Sequence, residues 1–183
     1  MKKILDKIDI KTAIVVGHDV SEQGAVSKII NMTEYRYNCK VADVLCKDFD
    51  VYYRNPNKKS YGAKMRDLAN QLNHKNYDYV IELHFNKFDN KANKRGVGCE
   101  AVILPSNQKS KSLSNKILDK ISKDFDIINR GVKEHGATER GYGFLSKMNA
   151  NAIILEPFFG DENEALKFLD FEKYANSLKE VLQ

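Results

Sequence analysis

The feature that most constrains the fold is an alternation of short apolar runs with longer segments of helical periodicity. Four apolar runs are long enough for buried strands and too short for helices: residues 12–16, 77–83, 100–104 and 152–155. Residues 50–53 and 142–145 are predicted as two shorter strands. The chain is therefore expected to contain about six strands.

The segments between these runs space their apolar residues as one face of a helix. They are residues 32–47, 61–74, 109–124 and the chain from 161 onward. Strands that alternate with helices predict an α/β protein. We expect a three-layer α/β/α sandwich whose mostly parallel, mixed central sheet is flanked by helices. The 183 residues fit one domain, 1–183.

Composition limits the partners and the compartment. The net charge of +5 favours a polyanion without choosing among nucleic acid, anionic membrane and cell wall. No groove-reading motif is recognisable, and no apolar stretch reaches the roughly 18 residues of a membrane span. The apolar run near the start is too short for a secretion signal, so we expect synthesis in the cytoplasm without a Sec signal.

The three cysteines do not suggest a disulfide framework. Cys39, Cys46 and Cys99 are odd in number and are not closely spaced. We therefore expect neither a disulfide scaffold nor a cysteine-type zinc knuckle.

Polar residues follow the three strongest strands of the predicted parallel sheet. His18 follows the first strand after Gly17, His84 follows the strand that ends at residue 83, and Glu156 follows the strand that ends at residue 155. Parallel α/β sheets bind ligands outside the carboxyl ends of their strands. The sequence therefore predicts that two imidazoles and a carboxylate converge at one sheet edge.

These groups suit hydrolytic zinc chemistry. A catalytic zinc site has three protein ligands and an open fourth position, and two histidines with one carboxylate are a known ligand set. A separate group must then accept a proton from water. The chemistry therefore needs two carboxylates.

Each residue also has an ordinary structural interpretation. A histidine at a strand end is often only hydrogen-bonded, and Glu156 can be a solvent-facing residue after a strand. Residues 31–34, Asn-Met-Thr-Glu, resemble a capping box in which Glu34 bonds back to the helix start. Glu82 shares a strand face with His84, so it is either a partner of that histidine or a buried residue without catalytic meaning.

The combination and order of the motifs resemble the N-acetylmuramoyl-L-alanine amidase 3 family, zinc enzymes that cleave peptidoglycan. The resemblance runs from about residue 13 to 181. It is carried by Gly17-His18, by residues 33–35 (Thr-Glu-Tyr), by residues 82–86 (Glu-Leu-His-Phe-Asn) and by residues 155–159 (Leu-Glu-Pro-Phe-Phe). Residues 98–102 and 129–133 are also similar to the family.

The resemblance implies a ligand set and a reaction. His18, Glu34 and His84 would bind one Zn²⁺ per chain, and Glu156 would be the catalytic base. The substrate would be the lactyl amide that joins N-acetylmuramic acid to L-alanine in bacterial peptidoglycan. No nucleic-acid or membrane partner is expected, and a monomer is favoured.

The tyrosine-rich segment around Glu34 and the Phe158-Phe159 pair look closest to phage endolysins. Such enzymes wait in the cytoplasm and reach the cell wall after release by a holin. No separate cell-wall-binding domain is visible in the sequence.

Substrate contacts are expected outside the four central groups. Arg130 is expected to bind a stem-peptide carboxylate or to brace its loop, and Asn86 is a second candidate for substrate binding. The Lys- and Asn-rich loop 86–97 is expected beside the cleft, whereas His74 and His135 are expected to face solvent.

Three departures from the family pattern concern the substrate side: Asp19 after the first histidine, Glu82 before the second, and Pro157-Phe158 after the last glutamate. Two rival functions stay open. One is a zinc peptidase or carboxypeptidase that acts within the stem peptide, and the other is a non-catalytic peptidoglycan-binding module.

Overall fold

The computed structural model describes residues 10–88 and 97–183. The elements in chain order are β1 (Thr12–Val16), β2 (Val26–Ser27), β3 (Met32–Thr33), α1 (Glu34–Leu45), β4 (Asp50–Tyr53), α2 (Tyr61–Leu72), β5 (Tyr79–Leu83), β6 (Cys99–Ile103), α3 (Gln108–Phe125), β7 (Asn129–Glu134), α4 (Tyr142–Leu145), β8 (Asn151–Glu156), a 3-10 helix (Asn163–Leu169) and α5 (Phe171–Leu182).

The main sheet is six-stranded and mixed, in the order β4-β1-β5-β8-β6-β7. The first four strands are mutually parallel, β6 pairs antiparallel to β8, and β7 is parallel to β6. As a consequence, β6 and β7 begin at the edge where the other four strands end. We call this the carboxyl edge of the sheet.

Helices cover both faces of the sheet. Buried residues of α1, α3 and α5 form one apolar cluster, which includes Ile14 and Ile81 of the sheet. Buried residues of α2 and α4 form a second cluster with Ala13 and Val15. Because β1 is buried on both faces, all five of its residues are apolar or small. The predicted three-layer sandwich is therefore confirmed.

Residues 142–145 were expected to form a strand, and this prediction is wrong. Gly141 adopts a left-handed φ of +83°, and its carbonyl accepts the N–H groups of Phe144 and Leu145 at 3.0 and 3.1 Å. These bonds close a short helix, α4, which buries the same two side chains. The segment is too short for its apolar residues to distinguish the two structures.

The sixth strand is instead β7. All of its residues are partly or fully exposed, so it has no continuous apolar run that the sequence could reveal. After residue 161 the helix is not continuous either, because the Asp170 side chain accepts the N–H of Lys173 and begins α5 separately from the 3-10 helix.

Two further observations concern the chain as a whole. All three cysteines are free, as predicted. Within residues 10–88 and 97–183, no helix is both long enough and apolar enough to span a bilayer.

Candidate metal centre and active site

Three residues from different elements meet at the carboxyl edge. His18 lies two residues beyond β1, Glu34 is the first residue of α1, and His84 directly follows β5. One oxygen of Glu34 lies 2.6 Å from Nδ1 of His84, and its other oxygen lies 3.2 Å from Nε2 of His18. One possible ligand atom from each residue falls within 4.8 Å of the others.

The start of α1 aims Glu34 at the histidines. Thr33 is the N-cap, since its Oγ1 accepts the N–H of Arg36 at 3.3 Å, and Glu34 is therefore the first helical residue rather than the third. The capping-box interpretation is wrong, because the Glu34 carboxylate instead accepts the backbone N–H groups of Ala25 and Phe85 at 3.0 and 3.2 Å. These bonds fix the carboxylate in the site.

Two glycines allow the backbone to approach the cluster closely. Gly24 has a φ of +72°, and a Cβ atom there would lie 2.6 Å from both Glu34 Oε2 and His18 Cδ2. A Cβ on Gly17 would lie 2.6 Å from Nε2 of His84. A side chain at Gly24 would therefore crowd Glu34 and His18, and one at Gly17 would displace the ring of His84.

The electrostatics of the cluster fit a bound cation. Burial would raise the pKa of Glu34, but its hydrogen bonds with His18 and His84 outweigh burial and hold the pKa well below the usual range. Burial alone would lower the pKa of His84, but its contacts with the Glu34 and Glu82 carboxylates together raise the pKa to about 9. The site therefore already stabilises positive charge, and its two imidazoles and one carboxylate match the ligand set of a catalytic zinc.

Glu156 lies at the same edge, as the last residue of β8. Its Oε2 accepts a hydrogen bond from Nδ2 of Asn86 at 2.7 Å, and the same Nδ2 donates to Oε1 of Glu100 at 2.7 Å. Glu100 and Glu156 are direct partners in the antiparallel β6–β8 ladder. Burial raises the pKa of Glu156 to about 7, while the positive charge of His84 opposes the rise and the negative charge of Glu100 adds to it. Such a carboxylate can accept and return a proton near neutral pH.

Asn86 and Arg130, the two predicted substrate-binding residues, belong to this carboxylate network. Nε of Arg130 donates to Oε2 of Glu100 at 2.8 Å, and its guanidinium lies 4.9 Å from the centre of the Phe159 ring. Asn86 is fixed by its backbone, which bonds to Phe158 and Gly160. Both residues therefore support the carboxylates. Residues 89–96 of the Lys- and Asn-rich loop, which was expected beside the cleft, lie outside the described residues.

A cleft of about 450 Å³ opens above these groups. Its lining includes His18, Arg54, His84, Asn86, His135 and Glu156. His135 is half-buried and lines the cleft, and its Nδ1 lies 2.8 Å from the carbonyl oxygen of Arg140. His135 follows β7, and the sequence missed its placement because it missed that strand. His74 is exposed, as predicted.

Asp19, one of the departures from the family pattern, anchors the loop that carries His18. Its carboxylate is buried and lies 2.5 Å from Nζ of Lys64 on α2. Burial opposes ionisation, but the hydrogen bonds from Lys64 and Ser21 and the charge of Lys64 together outweigh it and lower the pKa of Asp19. The loop is therefore tied to the neighbouring helix by a buried ion pair.

A covered, mostly parallel sheet that brings a possible His18/Glu34/His84 metal site and the carboxylate of Glu156 to one edge is the kind of arrangement that hydrolytic enzymes use. The family model described as N-acetylmuramoyl-L-alanine amidase matches residues 13–182. The chain therefore belongs to the N-acetylmuramoyl-L-alanine amidase family, a family of amidases that hydrolyse peptidoglycan.

Solved structures share the fold over nearly the whole chain. An N-acetylmuramoyl-L-alanine amidase from Clostridium difficile 630 is 23% identical, with a TM-score of 0.72 over 95% of this chain and 93% of that one. The catalytic domain of an endolysin that targets Clostridia difficile is 26% identical, with a TM-score of 0.74 over 94% of this chain and 96% of that one.

A curated relative is longer than this chain. An uncharacterized 38.4 kDa protein of Clostridium perfringens is 26% identical over 151 residues, which cover 81% of this chain and 43% of that protein. This chain thus matches less than half the length of that relative.

Proposed function

We propose that this chain is a zinc-dependent amidase that hydrolyses the lactyl amide between N-acetylmuramic acid and L-alanine of bacterial peptidoglycan. The observation that carries the proposal is the placement of His18 and His84, both in contact with Glu34, in the same cleft as Glu156. Membership of the amidase family supports the choice of bond.

His18, Glu34 and His84 would hold one Zn²⁺. The ion would supply a Lewis acid that acidifies the attacking water and polarises the amide carbonyl. Glu156 takes the proton of that water as the water attacks the carbonyl carbon. When the carbon–nitrogen bond breaks, Glu156 gives the proton to the leaving amine of L-alanine.

The surroundings of Glu156 suit both proton transfers. A pKa of about 7 leaves the carboxylate substantially ionised at neutral pH and still basic enough to take a proton. The hydrogen bonds from Asn86 hold one oxygen of Glu156 and one oxygen of Glu100 at the same amide group, so the two carboxylates lie side by side.

The proposal extends to the biological setting. The likeness of this chain to an endolysin catalytic domain supports a role as a phage or prophage endolysin that is made in the cytoplasm and reaches the wall after holin-mediated release. A monomer suffices for the mechanism, since every group it uses comes from one chain. Expression in a host with and without a holin tests this setting, and lysis is expected only when both proteins are present.

Analysis of digested peptidoglycan by mass spectrometry, with and without a chelator, tests the reaction. Free, intact stem peptides and peptide-free glycan are expected without chelator. Elemental analysis of the purified protein should find about one zinc per chain. Shortened peptides that stay attached to glycan would indicate a carboxypeptidase, and binding without any soluble product would indicate a non-catalytic module.

The Glu156→Gln variant tests whether Glu156 is the catalytic base. We expect its rate to fall by roughly 10²- to 10⁴-fold with zinc content unchanged, because the amide keeps the shape but cannot accept the proton. Full hydrolysis by this variant would refute the role of Glu156.

A further inference from the structure

Glu82 is a completely buried carboxylate that the mechanism does not use. It lies on β5 between Val15 of β1 and Ile154 of β8, so the sheet surrounds it on both sides. An ionised carboxylate at such a place is costly unless partners satisfy both of its oxygens. The groups that contact the two oxygens of Glu82 therefore indicate the role of this carboxylate.

Arg54 satisfies one oxygen. It directly follows β4 at the carboxyl edge, is itself only 6% exposed, and donates from Nε and Nη2 to Oε1 of Glu82 at 3.0 and 2.6 Å. The guanidinium also lies 5.4 Å from the centre of the Tyr61 ring. These contacts fix the orientation of the Glu82 carboxylate.

The second oxygen faces His84. Oε2 of Glu82 lies 3.1 Å from Nε2 of His84, which is within hydrogen-bonding distance. Among the described residues, this buried oxygen accepts no other hydrogen bond. The opposite ring nitrogen, Nδ1, faces Glu34. The imidazole is thus held between two carboxylates, one at each nitrogen.

We propose that Glu82, oriented by Arg54, is a positioning residue that keeps the proton of His84 on Nε2 and so presents Nδ1 to the metal. The inference rests on the proposed function, since it concerns the zinc site. A neutral imidazole carries one proton, and the hydrogen bond at one nitrogen decides which nitrogen is free to bind a metal. Carboxylate partners of this kind also orient the ligand and increase its basicity.

The alternative is that Glu82 only neutralises Arg54. Single substitutions do not separate the two roles, because each would leave one buried charge without its partner. A matched pair of double variants does separate them: R54M/E82Q and R54M/E82L. Both remove the two buried charges and keep similar side-chain volumes. Only R54M/E82Q retains a side-chain oxygen that can accept a hydrogen bond from Nε2 of His84. The amide N–H groups of the new glutamine would point towards residue 54, which borders the open cleft.

The primary measurement is zinc affinity, determined by competition with a chromophoric chelator at fixed pH. Circular dichroism and thermal melting first verify that both variants are folded. We expect R54M/E82L to bind zinc about 10- to 100-fold more weakly than R54M/E82Q. Equal zinc affinities in the two folded variants would overturn the positioning role.

Long-range ¹H–¹⁵N NMR of the zinc-loaded wild-type protein is the second measurement. It should show a proton on Nε2 of His84 and coordination through Nδ1. Coordination through Nε2 would overturn the proposal. If the wild-type protein binds no zinc at all, the proposed function fails together with it, whereas equal affinities in an active zinc enzyme would refute only the role of Glu82.

Discussion

Glu34 joins both histidines of the candidate metal centre through the two oxygens of one carboxylate. His18, His84 and Glu156 lie at or just beyond the ends of buried strands. Their positions could be predicted from the sequence because buried strands are easily recognised. The position of Glu34 followed only from the family resemblance. Its local sequence suggests a capping box equally well. That interpretation needs the helix to start two residues earlier, with Asn31 rather than Thr33 as the N-cap.

Gly24 provides a direct test of the space at the metal centre. In Gly24→Ala, the new methyl group would contact Glu34 and His18, so zinc affinity should fall at least tenfold in a chelator competition assay. Gly131→Ala is the matched control, because Gly131 has a similar φ of +78° but no neighbour within 4 Å of its Cβ position. Both changes add about 1–2 kcal/mol of backbone strain. If both variants lowered zinc affinity equally, backbone strain would explain the effect, and the close approach of Gly24 to the metal centre would not.

The raised pKa of His84 predicts how zinc affinity depends on pH. Without metal, the imidazole is protonated below about pH 9, and zinc must displace that proton. Affinity, corrected for the competing chelator, should therefore rise about tenfold per pH unit between pH 7 and 9 and then level off. An affinity that is flat over this interval would contradict the protonated state of His84.

The same pKa sets a trend in the stability of the metal-free protein. The folded-state pKa of about 9 lies above the ordinary value of 6.5, so the contribution of charged His84 is complete below pH 6.5 and is lost as the pH rises through 9. Urea unfolding of chelated protein should show this decrease, and His84→Gln should lack it.

At the scale of secondary-structure elements, the reversed direction of β6 and β7 completes the site. Glu100 and Arg130 lie near the starts of these strands, and they reach the carboxyl edge only because the two strands run opposite to β8. The strand-end rule that places His18 does not apply to them. The sequence could not reveal the reversal, since strand direction depends on pairing and β7 has no apolar pattern.

The β6–β8 pairing leads to a prediction for the pH–rate profile. Glu100→Gln removes a negative charge beside Glu156, so the pKa of Glu156 should fall and the acid limb of kcat/KM should move to lower pH. Glu134→Gln is the control on neighbouring β7, because Glu134 pairs with exposed Lys111 and should leave the limb unchanged. An acid limb that stays in place in Glu100→Gln would contradict the coupling of the two carboxylates.

At the scale of the whole molecule, the candidate metal site joins segments that lie far apart in the sequence. The end of β1, the start of α1 and the end of β5 are separated by up to 66 residues between His18 and His84. The alternation of strands and helices was sufficient to predict the three-layer sandwich, but the order of the strands depends on long-range pairing that no local pattern contains.

Metal removal should therefore lower the stability of the entire domain. A ligand present at 100 times its Kd stabilises the native state by about 2.7 kcal/mol, which is roughly 5–10 °C in Tm for a domain of this size. Calorimetry with added zinc and with chelator should show this difference. His84→Ala should melt at the same temperature in both conditions, and a zinc-dependent shift in that variant would point to a different metal site.

The position of β8 in the sheet has a consequence for synthesis of the protein. β8 pairs with β5 on one side and β6 on the other, although it follows both of them in the chain. While the ribosome is still making the chain, the edges that these two strands present to β8 stay open, and the residue proposed to accept the proton does not yet exist. Glu156 is the last residue of β8, so the strand that closes the sheet also carries the proposed proton acceptor. A nascent chain that ends before residue 156 therefore lacks the group that the proposed hydrolysis requires.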